Sequence, residues 1–170
     1  MDLKEKIRNI SDFPKPGILF RDITTLLKDA TAFQEVIAQL AERYAAQSLD
    51  RIAGIEARGF IFGAALAARL RTGFVPLRKP GKLPATTYSA QYELEYGTDR
   101  IEMHVDAIEQ GSRVLLIDDL LATGGTMQAA CALVEQAGGR IVECAFIIEL
   151  ADLQGRKKLA GRPVFSLIVY

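Results

Sequence analysis

The sequence predicts an α/β protein: a mostly parallel, twisted sheet flanked by helices, interrupted once by an antiparallel excursion. Three observations carry this. Strand-like and helix-like apolar periodicities alternate along the chain. Val114-Leu115-Leu116-Ile117 is an unbroken aliphatic run, as expected of a strand covered on both faces. Residues 85–105 switch to Thr, Tyr and alternating apolar positions, the pattern of paired antiparallel strands.

The elements follow in order. Phe33, Val36, Ile37, Leu40, Ala41 and Tyr44 recur at helical spacing and mark one face of a helix over 31–47. Arg51-Ile52-Ala53-Gly54-Ile55 reads as a short strand, 59–71 as a helix, and Phe74-Val75-Pro76-Leu77 as a further strand. Within the antiparallel stretch, Tyr96-Gly97-Thr98-Asp99 reads as the turn. A strand ending in Asp118-Asp119 is followed by a glycine-containing loop. A helix then runs to about 137, with Ala130, Leu133, Val134 and Ala137 on one face and Gly138-Gly139 as its stop. Strands are predicted over 141–150 and 164–169. No repeat, low-complexity stretch or linker divides the 170 residues, so the expectation is one domain.

Composition narrows the function. Lys plus Arg and Asp plus Glu both number 21, which argues against a basic nucleic-acid-coating protein and an acidic disordered tail. Cys131 and Cys144 have no Cys or His at ligand spacing, and the lone His104 reads as structural, so no metal site is expected. Charged residues open the chain, and no apolar run approaches the ~20 residues of a membrane helix. The expectation is a soluble, cytoplasmic protein without membrane or nucleic-acid partners.

The most informative stretch runs from Val114 to Thr126. Ala122, Thr123, Gly124, Gly125 and Thr126 offer backbone N–H groups with little side chain in the way, two hydroxyls and the start of a helix. A phosphate dianion needs those features together. Neither G-x-x-x-x-G-K-[ST] nor G-x-G-x-x-G is present. Here the acids precede the glycines, which suits a sugar whose hydroxyls lie between strand end and phosphate, as in a ribose 5-phosphate. Asp118 and Asp119 are adjacent in a strand and point to opposite faces. One of them is therefore expected on the ribose hydroxyls and the other in support of the loop.

At these residues the chain resembles the type I phosphoribosyltransferases, which bind 5-phosphoribosyl-1-pyrophosphate (PRPP), and within them the adenine-specific group. The likeness extends from about residue 10 to residue 170. It is carried also by Phe13-Pro14-Lys15-Pro16-Gly17-Ile18-Leu19-Phe20-Arg21-Asp22-Ile23, Glu56-Ala57-Arg58-Gly59-Phe60, Arg78-Lys79-Pro80-Gly81-Lys82-Leu83-Pro84 and Leu94-Glu95-Tyr96-Gly97. The resemblance implies purine salvage: transfer of 5-phosphoribose from PRPP to adenine, giving AMP and pyrophosphate.

It also implies roles for particular residues. Residues 122–126 would hold the 5-phosphate, with Asp118 and Asp119 beside the ribose. Arg58 and the helix start after it would clamp the pyrophosphate, unless Arg58 merely caps that helix. Arg78, Lys79 and Lys82 would give the leaving group positive charge, in their own or a neighbouring subunit's site. Leu19, Phe20 and Arg21, in a hood spanning 1–30, would cover adenine opposite Leu120; alternatively Ile18 and Phe20 form an alternating pair packed under a loop. Glu95, in a mobile lid over 82–105, would act at the anomeric centre, although a lone glutamate in a charged hairpin otherwise faces solvent. Mg²⁺ would arrive on PRPP and pyrophosphate rather than at a dedicated protein site. A homodimer is expected from relatives.

Overall fold

The computed structural model describes residues 1–94 and 96–170; Glu95 lies outside the described residues. The chain divides into two compact units, Met1–Glu42 and Arg43–Tyr170.

In the first unit an antiparallel hairpin precedes the helices. Strands β1 (Arg8–Ser11) and β2 (Leu19–Asp22) pair from Arg8↔Asp22 to Ser11↔Leu19. The Pro/Gly-rich stretch between them therefore forms a tight connection rather than an open loop. Its Phe13–Pro14 bond is cis, the Gly17 N–H donates to Asp12 Oδ1 at 2.9 Å, and the rings of Phe13 and Phe20 meet edge-to-face at 5.0 Å. Asp22 closes the hairpin. It accepts from the Thr24 N–H and from Arg8, which together hold its carboxyl down at about 2. Helices α1 (Thr24–Lys28) and α2 (Ala30–Tyr44) follow. Val36, Leu40 and Ala41 are buried on the expected face of α2, which ends at Tyr44, three residues before the predicted limit.

The second unit holds the parallel sheet. Its strands are β3 (Arg51–Ile55), β4 (Gly73–Leu77), β7 (Arg113–Leu121), β8 (Arg140–Glu149) and β9 (Val164–Val169), in the spatial order β4-β3-β7-β8-β9. All pair in parallel. Central β7 is the aliphatic run, and its residues alternate between two cores. Val114 and Leu116 face a cluster that includes Met127, Ala130, Leu133 and Val134 of α4 (Gly125–Gln136). Ile117 faces the other layer, beside α3 (Arg58–Leu70). Beyond Ile117 the sequence reading had the strand end in two acids; instead β7 runs through Asp118 and Asp119 to Leu121, because β8 keeps pairing with it as far as Leu121↔Glu149.

The antiparallel excursion is the hairpin β5 (Thr87–Glu93) and β6 (Thr98–His104), in register from Thr87↔His104 to Glu93↔Thr98. Its turn comes earlier than predicted, with the Leu94 N–H donating to the Gly97 carbonyl at 2.9 Å. One face of the hairpin is not solvated: Tyr92, Ile101 and Met103 are buried in the α4-side core. His104 accepts the Ala85 N–H at Nε2, a structural bond.

Close approach of α3 to the sheet depends on a missing side chain. A Cβ on Gly63 would lie 2.7 Å from Phe74 Cε2 and 2.9 Å from Ile117 Cγ2. Gly63→Val should therefore cost about 1–3 kcal/mol through forced displacement of α3. It should lower the urea midpoint; a variant as stable as the parent would contradict this packing.

Candidate active site

The spatial strand order fixes where a site can form. From β3 the chain crosses through α3 to β4 on one side; from β7 it crosses through α4 to β8 on the other. The loops leaving the carboxyl ends of β3 and β7 therefore diverge and leave a crevice between them, the topological switch point of an open α/β sheet. A cavity of about 290 Å³ opens there. Ile55, Leu77 and Ile101 give it apolar walls, while Glu56, Arg58, Lys79, Tyr92, Asp118, Asp119 and Thr126 line it with polar groups.

Asp118 and Asp119 both line this cavity although they alternate along the strand. Pairing between β3 and β7 stops at Gly54↔Ile117, so the two acids lie beyond the last pair of these strands, at the crevice. Their environments differ. Asp118 Oδ1 accepts the Asp119 N–H at 2.8 Å, and burial, reinforced by the neighbouring Asp119 charge, pushes the Asp118 carboxyl well above the usual carboxylate range. Asp119 is 6% exposed and receives Arg58 Nε at 2.5 Å, an ion pair joining the start of α3 to the end of β7.

A second hollow of about 80 Å³ shares Asp118 and Thr126 with the first and is formed by residues 120–127 together with Phe146. Leu120, Ala122, Thr123, Gly124 and Gly125 all line it. Gly124 caps α4 in the left-handed region at φ 88°, and no side chain caps the first turn. The helix-start amides are thus left without a side-chain acceptor. A Cβ on Gly124 would overlap the Gly155 carbonyl oxygen, and a Cβ on Gly155 would lie 2.5 Å from the Ala122 oxygen. Two backbones touch here, and Gly155 is a residue that the sequence reading did not single out. Gly125 is different: the nearest atom to a Cβ there is the Glu93 oxygen at 3.5 Å.

The basic cluster is more organised than its sequence suggests. Glu56 gathers it: Oε1 accepts from Arg78 Nε at 3.1 Å and from the Lys79 N–H at 3.0 Å, and Oε2 lies 4.0 Å from Lys82 Nζ. Lys79 Nζ donates to Tyr92 Oη at 2.6 Å and pairs with Asp99 of β6. Burial works to lower the Lys79 pKa, but the bonds to Asp99 and Tyr92 prevail and leave it raised. Glu56, Tyr92 and Asp99 were absent from the sequence-derived site. Alternation along β5 could have marked Tyr92 as inward-facing, and Glu56 opens the Glu56-Ala57-Arg58 motif without being assigned a role; nothing local marks Asp99.

The predicted base-covering residues lie together on β2 in the first unit. Leu19 is exposed, Phe20 is half-buried against Phe13, and Arg21 Nη1 donates to Asn9 Oδ1 at 2.6 Å. Glu95, assigned to catalysis by resemblance, is outside the described residues. Cys131 and Cys144, unrelated by any ligand spacing, meet in the core with their sulfurs 3.6 Å apart. Among the described residues no group of three or more His, Cys, Asp or Glu side chains could hold a metal ion, and no helix is long and apolar enough to cross a membrane.

Comparison with known proteins gives a consistent answer. A family model described as the phosphoribosyl transferase domain matches residues 23–167. An adenine phosphoribosyltransferase from Chloroflexus aurantiacus is 62% identical over 169 residues, covering 99% of this chain and 98% of the relative. The crystal structure of adenine phosphoribosyltransferase from Thermoanaerobacter pseudethanolicus superposes with a TM-score of 0.96 at 56% identity, covering 99% of this chain and 98% of that one. The Saccharomyces cerevisiae enzyme, solved with an imino-altritol bisphosphate and adenine, gives 0.92 at 43% identity, with coverage of 98% and 96%. With a phosphate-type loop and a polar cavity at the switch point of a five-stranded parallel sheet, and with relatives this similar over nearly its whole length, the chain belongs to the phosphoribosyltransferase family, among the adenine phosphoribosyltransferases.

Proposed function

We propose that this protein transfers 5-phosphoribose from PRPP to adenine, releasing pyrophosphate and forming AMP. The observation that carries the reading is the pair of hollows sharing Asp118 and Thr126. The smaller, walled by loop backbone, suits a terminal phosphate, and the larger, rimmed by Arg58 and Lys79, suits the diphosphate on the other side of the ribose.

In this reading the bond from C1 of ribose to pyrophosphate breaks ahead of full bonding to the purine nitrogen, so the ribose passes through an oxocarbenium-like state. The protein's task is to position the reactants and manage charge. The 122–126 amides anchor the 5-phosphate. Asp119, fixed by Arg58, and Asp118 face the ribose hydroxyls. Arg58, Arg78, Lys79 and Lys82 offset negative charge on the departing pyrophosphate. Leu19, Phe20 and Arg21 cover adenine, and Glu95 acts over the anomeric carbon. Mg²⁺ carried on PRPP would offset part of the diphosphate charge, with protein contact largely through water. The protein acts as a cytoplasmic homodimer, with 1–30 as hood and 82–105 as lid.

The direct test is adenine-dependent release of pyrophosphate from PRPP; no turnover of adenine would defeat the proposal. Gly125→Val should abolish PRPP binding with little loss of stability, because a Cβ there meets the surrounding protein only at ordinary contact distance, 3.5 Å from the Glu93 oxygen. Arg58→Ala should weaken PRPP binding and turnover together, whereas Glu95→Gln should lower kcat more than it raises KM. An unchanged kcat would remove Glu95 from the mechanism.

Asp118 supplies a pH-dependent prediction. Its folded-state pKa is raised, so its contribution to stability is fully present below the unfolded carboxylate pKa and is lost as pH rises through the raised value. Asp118→Asn keeps an oxygen to accept the Asp119 N–H and removes the buried charge. The variant should melt about 2–4 °C higher than the parent at pH 8, with the gap closing as pH falls toward 4, while its PRPP affinity drops. Equal melting temperatures at pH 8 would contradict the buried-charge penalty.

A further inference from the structure

The 122–126 loop contains no lysine or arginine, although the group assigned to it is a dianion. Backbone amides and a helix end supply only partial charges. A full charge reaches the loop from a distant part of the chain.

Residues Gly155–Leu159 form a 3-10 turn lying directly against the loop, where Gly155 and Gly124 leave no room for a Cβ. Two anchors hold this turn. Arg156 forks onto the Glu149 carboxylate at 2.8 and 2.7 Å and donates from Nη1 to the Val164 carbonyl at 3.2 Å. Leu159 is fully buried in the cluster that contains the inner face of α4. Between these anchors stands Lys158, whose side chain runs back over the start of α4. Its Nζ lies 3.7 Å from the point at which a Cβ on Gly125 would project. Among the described residues no carboxylate forms an ion pair with it. Backbone on either side is already fixed, so ordering this lysine on an anion costs less entropy than it would on a loose loop.

We propose that Lys158 is a binding residue for the 5-phosphate, supplying the charge that the loop lacks. The inference rests on the phosphoribosyl-transfer reading above and adds a residue to it. It also gives the 155–159 turn a purpose: the turn sets the loop's shape through Gly155 and its electrostatics through Lys158. A lysine inside the loop would crowd the amides, whereas one arriving from the side leaves them open.

Calorimetric titration with AMP and with PRPP tests this. Lys158→Gln should weaken both roughly ten-fold and flatten the salt dependence of binding. The melting temperature without ligand and the KM for adenine at saturating PRPP should stay as in the parent. Lys158→Arg should restore most of the lost affinity. Lys157→Gln removes the same net charge one residue away and should leave AMP binding unchanged. An AMP affinity within two-fold of the parent for Lys158→Gln would overturn the inference, as would an equal loss in Lys157→Gln. Failure of the parent protein to bind either AMP or PRPP would instead strike the functional reading itself.

Discussion

The reach of β7 past its last pair with β3 is the constraint on which the site depends. While the two strands pair, their backbones satisfy one another and the residues between them are sealed. Once that pairing stops, the next residues of β7 keep their pairing with β8 on one side and face an open crevice on the other. Asp118 and Asp119 occupy that stretch. A carboxylate there is held by a rigid central strand yet reaches a ligand, an arrangement that a flexible loop cannot provide. The crossovers through α3 and α4 then carry the flanking loops apart, so one topological fact yields both the floor and the mouth of the cavity.

At and beside the cavity, the cations proposed to meet the pyrophosphate are already partnered. Arg58 sits on Asp119, Arg78 on Glu56, and Lys79 on Asp99 and Tyr92. Pairing of this kind keeps long side chains ordered and aimed at the crevice, which lowers the entropy lost when a ligand arrives. In the proposed reaction, the diphosphate would compete with protein carboxylates for these donors. Asp118 shows the opposing effect. Its ionised form has little to compensate its burial, so the site holds a destabilising group at the position where ribose hydroxyls could accept or donate hydrogen bonds.

Much of this was legible in the chain. The aliphatic run at 114–117 could only be a strand covered on both faces, because no other element buries consecutive branched residues so uniformly. Two glycines after it marked a close backbone approach, which at Gly124 is made by Gly155, and the helical spacing of Phe33 through Tyr44 set the long helix. The hairpin at Arg8–Asp22 was missed because its connection is rich in Pro and Gly, and short strands of mixed polarity have no periodicity to detect. Glu56, Asp99 and Gly155 were missed for a different reason: each owes its role to a neighbour twenty or more residues away.

Local order, then, belonged to the sequence: strand, loop, helix, and the chemistry of a phosphate loop, all set by spacing over a few residues where backbone geometry and side-chain polarity act directly. Which charges meet belonged to the tertiary structure. Arg58 reaches Asp119, Glu56 gathers the basic cluster, and Lys158 lies over Gly125 only because parallel pairing and crossovers carry remote segments to one edge of the sheet. Electrostatic interaction depends on distance in space, and a linear sequence does not hold that distance.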